Sequence, residues 1–347
     1  VTESASSFQV AAVIPARNAM PFVLEAVGSA LAQRLPLHEI VVVDDGSTDG
    51  TGDAVERRFR DAGPVRVVRG RFGSAAAARN AGWRAARSPW VAFLDADDLW
   101  FPEKLATAEA ALTAVPRAGW FFSDGAFLTL AGETQGSWLS TYADLPEPYA
   151  GRPIAELIEV NFILTSSVIV RRDLLDATGG FDESLSHAED VDLWIRLARR
   201  APATASRRPL VRYQHHPGGL TRQIGARLHG DVALFDKLAR DLELDPTLRL
   251  RARHRAALSR YKLAFTELRE GRGAAARAHL PGAWMFPSRA LAVAGLWVAS
   301  WLPAGLLSGL RGHAWAKKNV ALPMLNQTRV MLRAEPDLIA TPAGGRS

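Results

Sequence analysis

The stretch Ile40-Val41-Val42-Val43-Asp44-Asp45-Gly46-Ser47-Thr48-Asp49 decides the fold. From His38 to Val43 the chain is almost continuously apolar and β-branched, which predicts a strand buried on both faces. Asp44-Asp45-Gly46 ends the run, and a stretch of helical length, Thr51 to Ala62, follows. Working outward, Gln9 to Ile14 closed by Pro15, Val65 to Val68, and Trp90 to Leu94 repeat the apolar pattern, with Pro21 to Gln33 and Ser74 to Arg87 as further helical stretches between them. Strands alternating with helices imply βαβ units and a parallel sheet with right-handed crossovers. In such a sheet the ligand crevice lies outside the carboxyl ends of the strands. Pro15 to Asn18, Asp44 to Asp49 and Asp95 to Asp98 are therefore expected on one edge.

Beyond Asp98 the pattern becomes mixed. A helix is expected near Glu103 to Ala114, a strand near Gly119 to Ser123, and a loop-rich acceptor region from Ala131 to Arg152. A strand at Ser166 to Val170, a helix from about Glu189 to Arg200 and a strand at Leu210 to Gln214 complete the core, and from Gly225 the chain reads as helical and rich in Arg and Ala. The tail contains Pro and Gly and is expected to be mobile.

With 347 residues, 48% of them hydrophobic, the chain can bury a substantial core. It has no cysteine, which excludes disulfides, thiolate metal sites and cysteine nucleophiles and fits a reducing compartment. Charge is uneven: residues 1–200 hold 19 Lys and Arg against 27 Asp and Glu, and residues 201–347 hold 23 against 9. A basic second part is a solvated surface or a face for anionic membrane or phosphorylated ligands. It lacks the interleaved aromatic platform of a nucleic-acid binder, so no nucleic-acid partner is expected. No basic region followed by a long apolar stretch opens the chain, so a cytoplasmic location is expected.

The segment Ala290 to Leu310 is uncharged between Arg289 and Arg311, but Pro303, Gly305 and Gly309 break it into pieces shorter than the ~20 residues a spanning helix needs. Buried hairpin, membrane span and interfacial element compete for residues 284–315. Trp284, Trp297, Trp301 and Trp315 between basic flanks favour peripheral docking on the inner face of an anionic membrane.

Two clusters carry chemistry. Asp44-Asp45-Gly46-Ser47-Thr48-Asp49 is either a capped turn or a place where a carboxylate accepts a nucleobase imide N–H or a ribose hydroxyl. Asp95-Ala96-Asp97-Asp98 sets three carboxylates directly after a buried strand, and crowding of like charge there is costly without a cation. Oxygen ligands favour Mg²⁺ or Mn²⁺, which keep positions open for phosphate oxygens, so this cluster reads as a nucleotide-diphosphate clamp.

The order Val13-Ile14-Pro15, Val43-Asp44-Asp45-Gly46-Ser47, Ala78-Arg79-Asn80-Ala81-Gly82 and Asp95-Ala96-Asp97-Asp98 resembles family 2 glycosyltransferases over about residues 8–222. The resemblance extends to Gly179-Gly180-Phe181-Asp182-Glu183, to His187-Ala188-Glu189-Asp190-Val191-Asp192-Leu193-Trp194, and to Tyr213-Gln214-His215-His216. It implies a GT-A fold, α/β and Rossmann-like, with a mostly parallel central sheet flanked by helices and a C-terminal helical extension. The catalytic domain would be residues 1–224, with a nucleotide-sugar half at about 8–125 and an acceptor half at about 126–224. Residues 225–347 would form the extension.

The same resemblance implies that Pro15, Ala16, Arg17, Asp45 and Arg79 bind the donor with Asp95, Ala96 and Asp97. It makes Asp95 and Asp97 the metal-binding pair with His216, and Asp190 the general base beside Glu189. Departures are Gln214 for the usual Arg, Gly219 for the usual Ser, and Arg17 for the aromatic that often precedes Asn18. The implied activity is inverting transfer of a sugar from a nucleotide-diphosphate sugar, a UDP-sugar favoured, to a carbohydrate or lipid-linked glycan hydroxyl. Cell-surface polysaccharide synthesis is the implied setting. A polyprenyl-phosphate acceptor would share the donor motifs, and a non-catalytic sugar-nucleotide scaffold is the alternative outside enzymes. Keeping Asp95, Asp97, Glu189 and Asp190 together argues against the scaffold, because buried carboxylates without use are costly.

Overall fold

The computed structural model of the chain describes residues 8–128, 134–214, 224–283, 290–301 and 330–331. The first half alternates as expected: β1 (Val10–Ala16), α1 (Phe22–Leu31), β2 (Glu39–Asp45), α2 (Thr51–Phe59), β3 (Val65–Gly70), α3 (Ala75–Ala85) and β4 (Trp90–Phe93). Next come β5 (Leu99–Trp100), α4 (Lys104–Ala114), β6 (Trp120–Leu128), β7 (Thr134–Gln135), α5 (Trp138–Tyr142), β8 (Ala143–Asp144) and β9 (Tyr149–Gly151). Then follow α6 (Ile154–Glu159), β10 (Ile169–Arg171), α7 (Arg172–Thr178), α8 (Glu189–Arg200) and β11 (Ala203–Gln214). The extension holds α9 (Ile224–Arg240), α10 (Pro246–Arg269), α11 (Gly273–Ala283) and α12 (Ala290–Ala299), and β12 (Val330–Met331) closes the described chain.

One sheet organises the molecule, in the order β3-β2-β1-β4-β10-β6-β11-β5, with β7 added to β6 and β9 to β11. β3, β2, β1 and β4 are mutually parallel, β10 runs antiparallel to both β4 and β6, and β6 pairs parallel with β11. Strand order reverses at β1, whose neighbours are β2 and β4, so the crevice opens between their carboxyl ends. Register places Pro15 opposite Val43 and Asp45 opposite Gly70, which brings the three βα loops to one edge.

Both faces of the parallel half are covered. Ala12 and Ile14 pack with α1, α2 and α4, whereas Ala11, Val41 and Val43 pack under α3. The close approach of α3 depends on Gly82, where a Cβ would lie 2.3 Å from Val13 Cγ1. Beyond β4 the core runs through Trp120, Phe122 and Trp194, and it continues without a break into Leu234 and Phe235 of α9 and Ala252 and Ala256 of α10. Tyr261, Phe265, Leu280, Val293 and Leu296 form a separate small cluster that joins the end of α10 to α11 and α12.

Three local expectations change. Thr165–Ser167 is a 3-10 turn, and the strand after it covers only Ile169–Arg171, because the serines hydrogen bond inward rather than joining the ladder. The last strand is longer than expected and begins at Ala203, in front of Leu210. The stretch expected to be loop-rich contains α5, β8 and β9. No helix among the described residues is long and apolar enough to cross a membrane. Residues 290–301 of the aromatic segment are described; the rest of 284–315 and the tail lie outside the described residues.

Candidate active site

The first wall of the crevice is two loops tied together. After β1, the Asn18 amide donates to Ser47 Oγ at 2.9 Å, and Asn18 Oδ1 accepts from the Thr48 amide at 2.8 Å. Asn18 holds φ at +49°, a left-handed conformation that asparagine tolerates. Asp49 accepts from the Met20 amide and, at 2.6 Å, from the Thr51 hydroxyl. Ser47, Thr48, Asp49 and Thr51 are thus braces, and Asp44 is a turn residue that accepts from the Ser47 amide at 2.9 Å. Asp45 differs. Its buried carboxylate reaches the β3–α3 loop, taking the amides of Phe72 and Gly73, with Arg17 Nη1 at 3.8 Å from Oδ2. Of the expected donor-binding residues, Arg17 and Asp45 are therefore brought together, and Pro15 and Ala16 lie at the end of β1.

The Asp95–Asp98 turn follows β4. Asp98 and Asp95 have different surroundings. Asp98 is buried, takes Ser166 Oγ–H at 2.5 Å and the Gln214 amide at 3.2 Å, and so ties the turn to β11. Burial, then the charges of Asp97 and Asp95, push its pKa well above the ordinary carboxylate value. Ser166 also accepts the Asp95 amide at 3.0 Å, so one hydroxyl holds both ends of the turn. Asp95 is about a third exposed, and its Oδ1 accepts from Arg79 Nη2 at 2.7 Å.

Arg79 is the hinge of the site. It projects from α3, whose N-terminus is capped by Ser74 Oγ accepting from the Ala77 amide, and it is nearly buried. Its other terminal nitrogen donates to Glu189 Oε1 at 2.9 Å, and its guanidinium carbon lies 5.4 Å from the Phe181 ring centroid. Burial opposes its charge, but Asp95 and Glu189 outweigh that and raise its pKa above the usual arginine value. The neighbouring Asn80 clamps the glycine loop: Nδ2 donates to the Phe181 carbonyl and to Glu183, while Oδ1 accepts from the Phe181 amide and Trp83 Nε1. Gly180, at φ +78°, leaves no room for a side chain, because a Cβ would lie 2.4 Å from Asn80 Oδ1.

That loop delivers the chain to the start of α8. Ala188 turns it with φ +65°, and Glu189 and Asp190 occupy the first helical turn, where the helix dipole favours anions. The helix is anchored by Trp194 stacked on Trp120 at 6.2 Å and by Asp192, which pairs with Arg196 and with Lys237 of α9. Asp190 Oδ2 accepts from Asn161 Nδ2 at 2.9 Å. Burial first, and the Glu189 carboxylate next, push the Asp190 pKa up to about 7 against the opposing pull of the Val191 amide, Arg79 and Asn161. A carboxyl poised near neutrality can both hold and release a proton.

The Asp95–Asp98 turn and the start of α8 thus meet at Arg79, with Asp95 on one side and Glu189 beside Asp190 on the other. Arg79 is shared between Asp95 and Glu189, and Asp98 is already committed to Ser166 and Gln214. Asp95 and Asp97 fit a hard divalent cation that takes one or two carboxylates and completes its shell with substrate phosphate. His216 lies outside the described residues. Asn161 and Ser166 are further site residues with no motif signal in their isolated positions: Asn161 sits between Val160 and Phe162 in an apolar stretch.

An α/β fold with its crevice at a topological switch point, where such sheets take their ligands, defines the class of protein. Residues 11–122 match the family description "Glycosyl transferase family 2" and residues 120–249 match "Glycosyltransferase like family 2". The chain is 30% identical over 243 residues to the succinoglycan biosynthesis protein ExoO of Rhizobium meliloti, covering 66% of this chain and 68% of that protein. It is 32% identical over 207 residues to ExoU of the same organism, covering 56% of this chain and 58% of ExoU. Other curated relatives are spanned less, one of them over 30% of its length. In fold it is similar to S. aureus TarS 1–349, with TM-score 0.62, 17% identity and coverage of 87% and 91%. It is also similar to the mannosyltransferase PcManGT of Pyrobaculum calidifontis, solved with GDP-Man and Mn²⁺, with TM-score 0.53, 24% identity and coverage of 87% and 83%. The chain belongs to the family 2 glycosyltransferases.

Proposed function

We propose that this chain transfers a sugar from a nucleotide-diphosphate sugar to an acceptor hydroxyl with inversion, in the synthesis of a cell-surface polysaccharide. The observation that carries the reading is the placement of Asp190, raised to about 7, across Arg79 from Asp95. The names of ExoO and ExoU support the polysaccharide setting. Asp45 supports a UDP-sugar, since after accepting the Phe72 and Gly73 amides a carboxylate keeps capacity for an imide N–H. Residues 8–125 would hold the donor, residues 126–224 the acceptor, and residues 225–347 would be an extension.

Asp190 takes the proton of the acceptor hydroxyl while its oxygen bonds to the anomeric carbon and the diphosphate leaves with the electron pair of the broken C–O bond. Attack from the side opposite the leaving group inverts the centre. Glu189, held by Arg79, keeps negative charge beside Asp190 and maintains its basicity. Bound Mn²⁺ or Mg²⁺, held by Asp95 and Asp97 with His216 as the further candidate ligand, would supply positive charge to the departing diphosphate.

Incubating the full chain with a panel of nucleotide sugars and Mn²⁺ tests the reading. Nucleotide diphosphate release from at least one donor is expected, and release from none would favour a sugar-nucleotide scaffold. Acceptor choice has its own observation. On α12, Val293 and Leu296 face the extension, while Trp297 and Val298, and Trp301 just beyond its end, are exposed. We infer a peripheral contact with an anionic membrane surface, which suits a lipid-linked acceptor, polyprenyl phosphate included. The full chain should float with anionic liposomes and the Trp297→Ser/Trp301→Ser variant should float markedly less; equal flotation would remove α12 from the contact.

A further inference from the structure

Away from the crevice, three consecutive helices of the extension point His229 of α9, Glu267 of α10 and His279 of α11 at one another, with one ligand atom from each lying within 4.8 Å of the others. Among the described residues this is the one group of three or more such side chains so close together. The imidazole centroids are 5.4 Å apart. Glu267 is buried, and its Oε2 accepts from Arg272 Nε, which fixes the carboxylate. Such outer contacts commonly orient a metal-ligating carboxylate.

We propose that His229, Glu267 and His279 form a site for a divalent transition metal, zinc by preference, that clamps α9, α10 and α11 together. Two imidazoles and one carboxylate are a borderline donor set, suited to Zn²⁺ rather than to the Mg²⁺ or Mn²⁺ of the carboxylate pair. Tetrahedral bonds of about 2.1 Å need ligand atoms roughly 3.4 Å apart, so rotation of long or exposed side chains closes the site without moving a helix. Arg260 and Arg272 are the cations that face the cluster.

The clamp has a route to the crevice. Gly230, next to His229, packs so tightly on the chain that a Cβ would lie 2.6 Å from the His187 carbonyl oxygen, two residues before Glu189. Fixing α9 therefore steadies the approach to Asp190. Sequence reading gives no hint of this site, because its ligands come from three separate helices rather than from a short motif.

The test uses the full chain stripped of metal by chelation, then titrated with Zn²⁺ by calorimetry, with bound zinc counted by elemental analysis and the melting temperature followed. One tight zinc per chain is expected in the native protein and in Asp97→Asn, together with a rise in Tm. His229→Ala and His279→Ala should bind at least tenfold more weakly and lose the Tm rise. His229 is exposed, so its replacement leaves the core intact, which circular dichroism checks. Undiminished tight zinc binding in His229→Ala would overturn the proposal. So would loss of that site in Asp97→Asn, which would assign the zinc to the crevice, or no zinc binding by the native chain.

Discussion

Replacing Arg79 tests whether one guanidinium joins the two halves of the site. It donates to Asp95 at 2.7 Å and to Glu189 at 2.9 Å from a position that is only 7% exposed. Removing one partner of a buried ion pair typically costs about 3–5 kcal/mol, because the remaining charge stays desolvated. Here Asp95 is 31% exposed and Glu189 15%, so water recovers part of the loss, and Arg79→Ala should cost about 2–3 kcal/mol in urea unfolding. Arg79→Lys keeps the charge but cannot bridge two carboxylates as a planar fork does, so it should restore the stability only in part. The variant has a second signature. Arg79 lowers the Asp190 pKa, so its loss moves that pKa further up, and the acid limb of the activity profile should shift to higher pH. A cost below about 1 kcal/mol with an unmoved acid limb would refute the bridging role.

Asp97→Asn should leave the melting temperature nearly unchanged and weaken Mn²⁺-dependent nucleotide diphosphate binding at least tenfold by calorimetry; unchanged affinity would remove Asp97 from the metal site. Gly180→Ala combines a left-handed φ with a Cβ inside the Asn80 clamp, and should cost about 2–4 kcal/mol in thermal or urea denaturation. Asp190 also makes a stability prediction. Its folded pKa of about 7 lies above the ordinary aspartate value of 3.8, so the folded chain holds a proton that the unfolded chain has released, and stability falls as pH rises from about 4 to about 7. Asp190→Asn should flatten that slope in urea titrations across the range, and an unchanged slope would contradict the raised pKa.

The nucleotide half was legible because its physics is local. The buried run before Asp44 can only be an interior strand, and the residues that end it are turn formers, so β1 to β4 and α1 to α3 fall where the patterns place them. The convergence of Asp45 and Asp95 on one sheet edge follows from that topology, whereas Arg79 enters through the family resemblance. What lay out of reach are contacts between residues far apart in sequence. Nothing in the sequence marks Ser166 as the hydroxyl that ties Asp95 to Asp98, or Asn161 as the partner of Asp190. Likewise α6 and α7 are short, and their stability comes from packing Leu157, Ile158, Leu174 and Leu175 into the main core rather than from periodicity. Asp49 carries the opposite lesson: part of a motif that reads as chemistry, it serves to fasten two loops.

The most direct measurement of Asp190 as the base is transfer rate against pH for the native chain and Asp190→Asn, with nucleotide binding measured on both. The native rate should rise through a pKa near 7, the value set by burial and Glu189. The variant should bind nucleotide equally well, turn over roughly a hundredfold or more slowly, and lose the acid limb. A variant that transfers at the native rate with the same pH profile would contradict the assignment.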